Sequence, residues 1–181
     1  MPFTAGQTAI VVPLSAAEPI VDRWRQRYDA AAPLGVPAHV TVLYPFLNIA
    51  RIDAPTIQQL SGLFAARAAF AVTLAHCGRF PDVLYLDPNP AQRFRELTAA
   101  VVERWPEAPP YGGAFDEVVP HLTVAHGVDE DTLATVERAV APQLPVTAEA
   151  TEAHLLAFDG NHWTVHTRFA LGHPTPAGRG G

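Results

Sequence analysis

Two short stretches of the chain carry the same pair of reactive side chains. One reads H-V-T-V from His39, the other reads H-L-T-V from His121, and a proline stands within two positions ahead of each histidine. The usual pKa of imidazole lies near neutral pH, so one histidine can accept a proton while a second donates one. A threonine hydroxyl beside each histidine can donate a hydrogen bond to a charged oxygen. Two such pairs predict acid–base chemistry on a phosphate, which needs no metal ion.

Strand geometry decides where these side chains point. Residues i and i+2 of a strand lie on the same face, so His39 shares a face with Thr41, and His121 shares one with Thr123. The apolar residues between them point the other way and can pack under helices. The four polar groups converge if the two strands meet at one groove. A third H-x-T, at His173, has proline in the middle and no strand pattern, so we exclude it. Two unrelated histidines with ordinary structural partners remain the alternative interpretation.

The predicted elements alternate between strands and helices. Strands are predicted over residues 7–14, 39–44, 70–76, 83–86, 121–125, 146–158 and 163–171. Helices are predicted over residues 18–29, 53–67, 92–105 and 130–140. A turn is expected at residues 78–82, and Asp53 is expected to cap the second helix. The last two strands form a hairpin, which favours an α+β fold with mixed or antiparallel sheets over a doubly wound parallel sheet. We expect residues 1–172 to form a single bilobal domain and residues 173–181 to form a disordered tail.

The charge of the chain limits the size of its partner. The formal net charge is −6, and all twelve basic residues are arginines. Proteins that grip long nucleic acids usually carry a basic stripe, because neutralising phosphates drives that binding. The cluster of Arg23, Arg25 and Arg27 lies on a predicted helix with Asp29 at its end, which indicates a solvated face. A nucleic-acid partner is therefore expected to be small, or bound only at its end.

The chain also lacks the usual signals for export or membrane insertion. No apolar run approaches the 18 or more residues that span a bilayer, and the first residues lack a signal-peptide pattern. The single cysteine, Cys77, excludes an internal disulfide framework. We therefore expect a cytoplasmic monomer without a membrane partner.

The motifs and their flanks resemble the 2H phosphoesterase superfamily, which includes 2′-5′ RNA ligases and RNA 2′,3′-cyclic phosphodiesterases. The first motif continues as L-Y-P-F through Tyr44 and Phe46, as in one branch of that family, and the second reads V-P-H-L-T-V-A around His121. The segments G-R-F at 78–80, V-L-Y-L at 83–86 and F-A-L-G at 169–172 are also similar to the family. The resemblance covers about residues 7–172.

The resemblance implies a fold, a site and a reaction. The fold is bilobal α+β, with two sheets related by a pseudo-twofold axis, a central groove and helices packed outside. His39, Thr41, His121 and Thr123 would form the catalytic set. The implied reaction opens the 2′,3′-cyclic phosphate of an RNA end or a small nucleotide to a 2′-phosphomonoester, with no cofactor. Some relatives join or cleave 2′-5′ linkages, and a module that binds a nucleotide without turnover is a further alternative.

Residues around the motifs are candidates for binding the substrate. Tyr44 and Phe46 can stack on a base, although core packing is the competing interpretation. Many relatives carry arginine where this chain has His126, and an imidazole grips a phosphate less firmly than a guanidinium. His126 is therefore a candidate for binding the substrate, although by strict alternation it points away from His121, and a structural role is the competing interpretation.

A metal site is not expected from the remaining histidines. His162 and His166 share a face of one predicted strand but lie about 13 Å apart along it, too far to chelate one ion. The chain has neither an H-E-x-x-H run nor a cysteine pair. Cys77 follows His76 directly, so their side chains point in opposite directions on a strand, and a cysteine nucleophile is not expected.

Overall fold

The computed structural model of the protein describes residues 3–114 and 118–173. Its eight strands within these ranges are β1 Thr8–Pro13, β2 His39–Leu43, β3 Phe70–Phe80, β4 Val83–Asn89, β5 Leu122–His126, β6 Val146–Ala150, β7 Glu152–Phe158 and β8 Trp163–Ala170. The four α-helices there are α1 Glu18–Tyr28, α2 Ala54–Ala65, α3 Ala91–Arg104 and α4 Glu130–Val140. Each predicted helix lies within two residues of its expected bounds. No helix in the described ranges is long and apolar enough to cross a membrane.

The strands form two four-stranded sheets. The first has the order β2-β1-β7-β8 and the second has the order β5-β4-β3-β6, and neighbouring strands are antiparallel in both. We call each sheet, together with the helices that follow its strands in chain order, a lobe. The strands that carry the two H-x-T motifs, β2 and β5, are edge strands of their sheets and contact each other. The α+β prediction with two sheets is confirmed.

The two lobes repeat one arrangement. The succession β1-α1-β2-α2 in the first lobe matches β4-α3-β5-α4 in the second, and β7 flanks β1 as β3 flanks β4. The first helix of each succession crosses to the other lobe: α1 packs on β5, and α3 packs on β2. This exchange matches the pseudo-twofold relation that the family resemblance implies.

The apolar residues of the motifs hold their strands in the core. Val40, Val42, Leu122 and Val124 are each at most 1% exposed and belong to one core cluster that spans both lobes. Burying each such side chain contributes about 1.5–3 kcal/mol. The Thr98 hydroxyl on α3 also donates a hydrogen bond of 2.7 Å to the Val42 carbonyl, which fastens the edge strand β2 to a helix. The motif strands are thus fixed from behind.

Two predicted strand boundaries are wrong. Residues 146–158 form two strands, because the chain leaves the second sheet after β6 and enters the first sheet as β7 at Glu152. Thr151, between them, accepts a hydrogen bond from the Leu171 N–H. Strand β3 continues to Phe80, so the turn predicted at 78–82 contains only two residues, and Asp82 adopts a left-handed conformation there. The predicted disordered tail lies outside the described residues, apart from residue 173.

The interpretation of Arg25 as part of a solvated helix face is also wrong. Its side chain is 1% exposed and lies between α1 and the segment that leads to β2. Arg25 follows Val21 by one helical turn, and both face the interior. The burial of Arg25 was not predicted because its partner, Asp29, lies four residues later, and ion pairs at that helical spacing are usually exposed.

Candidate active site

A cavity of about 230 Å³ opens between the two motif strands. His39 and Thr41 from β2 line it, and so do Thr123 from β5 and His121 immediately before β5. The structure therefore brings the four predicted motif side chains to one cavity. The other residues that line it are Phe3, Ala9, Val11, Asp29, Ala31, Val36, Tyr44, Tyr111, His126, Leu156 and Trp163.

Each motif histidine is held by the backbone just before it. His39 Nδ1 lies 2.7 Å from the Pro37 carbonyl oxygen, and His121 Nδ1 lies 2.7 Å from the Val119 carbonyl oxygen. A carbonyl can only accept, so Nδ1 carries the proton and donates it in both rings. In a neutral imidazole the lone pair is then on Nε2. Both histidines thus present the same atom for proton transfer, and in both the acceptor lies two residues earlier.

The Thr41 hydroxyl lies against the reactive atom of His39. Thr41 Oγ1 is 3.1 Å from His39 Nε2. Because Nε2 accepts, the Thr41 O–H is the donor in this hydrogen bond. Thr41 thus stabilises the neutral form of His39 in the resting site.

The surroundings of both histidines disfavour a positive charge. The pKa of His39 is lowered from 6.5 to about 4, mainly by burial and also by the positive charge of Arg25. The hydrogen bond to the Pro37 carbonyl and the negative charge of Asp29 act in the opposite direction. Burial also lowers the pKa of His121, the hydrogen bond to the Val119 carbonyl opposes it, and His126 adds to the lowering. At neutral pH both imidazoles are predominantly uncharged.

A buried ion pair lies behind His39. Arg25 donates from Nε and Nη2 to Asp29 Oδ2 at 3.2 and 2.9 Å, and Nη2 also donates to the Val36 carbonyl at 3.2 Å. The Ala31 N–H donates to the other carboxylate oxygen at 3.0 Å. Asp29 lines the cavity, so one end of this pair is within reach of a ligand.

Aromatic rings hold His121 on the other side. The His121 ring meets Phe80 edge-on at 5.2 Å between centroids and Tyr85 at 5.5 Å, and these two rings stack at 4.4 Å. Gly78 makes room for this group, because a Cβ there would lie 2.3 Å from the Tyr85 ring. Tyr85 is therefore a support for His121.

His126 faces the cavity, so the alternation expected for it is wrong. In the pairing of β5 with β4, Thr123 lies opposite Tyr85 but Ala125 lies opposite Leu84, so the register slips by one residue. This bulge turns His126 to the face that carries the motif side chains. His126 lines the cavity beside His121 and Thr123 and is exposed.

The two aromatic residues predicted to bind substrate lie in different places. Tyr44 lines the cavity, where its hydroxyl donates to Gln7 Oε1 at 3.3 Å and its ring meets Trp163 at 6.2 Å. Phe46 is 6% exposed, packs edge-on against Trp105 at 5.4 Å and does not line the cavity. Trp163 is 5% exposed yet forms part of the apolar wall.

The other candidates for chemistry lie away from the cavity. His154 is buried on β7, with Nε2 2.6 Å from Glu152 Oε1. Burial raises the pKa of Cys77 to about 11, so it is a thiol at neutral pH. Across residues 3–114 and 118–173, no group of three or more histidine, cysteine or acidic side chains is arranged to hold a metal ion.

Comparison with known proteins places this fold in a family. A search of curated proteins gives no match. The fold is similar to that of Escherichia coli LigT in complex with 3′-AMP, with a TM-score of 0.58, 18% identity and coverage of 93% of this chain and 99% of LigT. For LigT in complex with NADP+, the TM-score is 0.58 and the identity 19%, with coverage of 94% of this chain and 100% of LigT. For the Thermus thermophilus protein TT0787, the TM-score is 0.56 and the identity 19%, with coverage of 93% of this chain and 100% of TT0787. The family model of the 2′-5′ RNA ligase superfamily matches residues 12–162, so the chain belongs to that superfamily.

Proposed function

We propose that this protein is a metal-independent phosphoesterase that opens 2′,3′-cyclic phosphates to 2′-phosphomonoesters. The observation that carries the proposal is the convergence of two imidazoles and two hydroxyls on one cavity. Both imidazoles are oriented by a backbone carbonyl at Nδ1, which leaves Nε2 for the substrate. This arrangement supports two-histidine acid–base catalysis.

The reaction balances with one neutral and one protonated imidazole. The neutral Nε2 takes a proton from a water molecule, whose oxygen forms the new bond to phosphorus. The bond from phosphorus to the 3′ oxygen breaks, and the protonated imidazole donates its proton to that oxygen. Thr41 and Thr123 donate to the non-bridging oxygens, where negative charge builds up. Each proton transfer is typically worth about 100- to 10,000-fold in rate.

The imidazole that protonates the leaving oxygen has to gain its proton when the substrate binds. Both imidazoles are mostly neutral in the resting site, since burial lowers both pKa values. A bound phosphate places a negative charge between them and favours the charged form of the nearer one. Substrate binding therefore prepares the acid. Either histidine can take either role in this scheme, because both present Nε2.

The cavity and the charge of the protein favour a small substrate. A volume of about 230 Å³ suits part of a mononucleotide. The net charge of −6 disfavours long polyanions. The related LigT structures hold 3′-AMP and NADP+, which are small nucleotides. We infer that the substrate is a small nucleotide or a single RNA end with a cyclic phosphate.

Hydrolysis of nucleoside 2′,3′-cyclic phosphates in the presence of EDTA tests the proposal. His39→Ala and His121→Ala should each lower kcat by about 100-fold or more, and the double variant should lose little further because the residues act as a unit. His166→Ala is the matched control, since His166 is exposed and its ring bonds to the neighbouring Thr167. Activity that survives either motif substitution contradicts the mechanism.

A second candidate is 2′-5′ ligation, which the family description favours. Joining a cyclic phosphate end to a 5′-hydroxyl is the opening of the same bond with a hydroxyl in place of water. The test incubates the protein with short RNA that carries a cyclic phosphate at one end and a 5′-hydroxyl at the other. Digestion of the product would then reveal 2′-5′ linkages, and each of the two histidine substitutions should abolish them. Tight nucleotide binding without turnover of either kind would favour a binding module instead.

A further inference from the structure

The peptide group between Pro37 and Ala38 is hydrogen-bonded at both ends. Its carbonyl oxygen accepts the hydrogen bond of 2.7 Å from His39 Nδ1. Its N–H donates a hydrogen bond of 2.5 Å to Glu18 Oε1, in the first turn of α1. A single amide group therefore lies between a carboxylate and the imidazole of the first motif.

The neighbouring peptide groups are also fixed. Arg25 lies about two helical turns after Glu18 on the same face of α1 and donates to the Val36 carbonyl at 3.2 Å. The Leu14 N–H donates to the Ala38 carbonyl at 2.8 Å. The backbone is thus held on both sides of the carbonyl that orients the motif imidazole.

A carboxylate at the N–H end of this amide strengthens the carbonyl at its other end. Hydrogen bonds to an ionised acceptor are roughly twice as strong as neutral ones. Hydrogen bonds that share a group in the protein interior polarise one another, and Ala38 is fully buried. The Pro37 carbonyl is therefore a better acceptor for the His39 Nδ1–H than an amide with a free N–H would be.

The second motif cannot be supported in this way. The carbonyl that orients His121 belongs to Val119, and the next residue is Pro120, which has no N–H. The sequence reads P-A-H at the first motif and V-P-H at the second. An effect transmitted through the N–H of the orienting peptide is therefore confined to the first motif.

We propose that Glu18 is a positioning residue that holds the proton of the neutral His39 ring on Nδ1 by acting through the Pro37–Ala38 peptide. This role rests on the hydrogen bonds described above. Its consequence for turnover, a lone pair kept on Nε2 for the substrate, rests on the proposed function.

The other groups that act on His39 are unchanged when Glu18 is replaced. The charged or titrating side chains among them are Arg25, Asp29 and His121. Asp22, one turn after Glu18 on α1, offers a matched control because it is exposed and bonds only to Gln26. Asp22→Ala removes an equal charge from the same helix and leaves the orienting peptide untouched.

Nitrogen-15 NMR of the histidine rings at neutral pH, without substrate, tests the positioning role. In the wild type, His39 should show a protonated Nδ1 and an unprotonated Nε2. In Glu18→Ala the ratio of the two neutral tautomers should shift roughly threefold toward Nε2–H, because the carbonyl becomes a weaker acceptor. Glu18→Gln keeps an acceptor oxygen without the charge and should give a smaller shift in the same direction. His121 should be unchanged in both variants.

The amide proton of Ala38 reports whether the hydrogen bond to residue 18 has changed. It should move upfield in both variants, because its acceptor is either lost or uncharged. An Ala38 shift with unchanged His39 resonances overturns the proposal, and so does an equal change at His121 or in Asp22→Ala. Glu18→Gln alone gives this answer if Glu18→Ala does not fold.

Turnover of a cyclic phosphate tests the consequence for catalysis. Glu18→Ala should lower kcat roughly threefold with little change in KM, and Glu18→Gln should lie between it and the wild type. Unchanged kcat in a variant whose His39 tautomers have shifted overturns the link to turnover. If the wild type turns over no cyclic phosphate while the NMR changes appear as expected, the proposed function fails and the positioning role of Glu18 stands.

Discussion

Lowering the pH should destabilise the protein through His39. The pKa of this imidazole falls from 6.5 in the unfolded chain to about 4 in the folded protein, because burial and Arg25 disfavour its charged form. Between these two values the unfolded chain binds a proton that the folded protein does not. The free energy of unfolding therefore falls as the pH drops below 6.5, and the loss is complete once the pH is below 4. Above pH 6.5 His39 contributes little pH dependence.

The size of the effect follows from the two pKa values. Their difference of about 2.5, at about 1.4 kcal/mol for each pH unit, gives a full loss of about 3 kcal/mol. Between pH 7 and pH 5, proton linkage gives about 2 kcal/mol of that loss. Both values are a substantial fraction of the stability of about 5–15 kcal/mol typical of folded proteins.

Urea unfolding of the wild type and of His39→Asn isolates this contribution. Asparagine does not titrate, and its amide N–H can still donate to the Pro37 carbonyl. The difference in unfolding free energy between the two proteins should shift by about 2 kcal/mol between pH 7 and pH 5, with the wild type losing more. Other titrating groups are common to both and cancel. Parallel pH curves for the two proteins would refute the neutral state of His39 in the folded protein.

Three further predictions follow from the site and its supports. Both histidine pKa values are lowered, so the state with one protonated imidazole becomes rare as the pH rises. The kcat/KM for cyclic phosphates should therefore fall about tenfold for each pH unit above pH 7. A flat profile between pH 6 and 9 would contradict this. Gly78→Ala pushes the Tyr85 ring off His121, and should cost about 1–3 kcal/mol in a denaturant melt together with much of the turnover; full activity would show that the ring support is dispensable. Arg25→Met leaves the Asp29 carboxylate buried without its partner and should cost about 3–5 kcal/mol in the same melt. Adding Asp29→Leu should recover most of that loss, and no recovery would mean that the cost does not come from the stranded charge.

Local patterns predicted the elements well. Helix α4 lies at its predicted bounds because Asp129 caps it, with its side chain accepting from the Thr132 N–H, and its apolar residues repeat at helical spacing. The Asp53 cap of α2 is confirmed in the same way. Caps and periodicity depend on neighbours within a few residues, so a single sequence contains the information.

Features that depend on pairing between distant segments were not predictable. The bulge that turns His126 to the cavity exists only in the register of β5 against β4, and strict alternation gives the opposite face. The switch of sheets at Thr151 has no glycine or proline to mark it. Tyr111 lines the cavity but was not predicted there, because its N–H donates to the carbonyl of Tyr44, which lies 67 positions earlier in the chain.

The exchange of helices between the lobes limits how a ligand can enter. Each motif strand is covered by a helix that belongs, in chain order, to the opposite lobe, and one continuous apolar core joins the two. A hinge that swings the lobes apart would have to pull α1 from β5 and α3 from β2, exposing that core to water. The spacing between the two imidazoles is therefore set by the protein interior. We expect a ligand to enter through the mouth of a preformed cavity, with only side chains and surface loops adjusting around it.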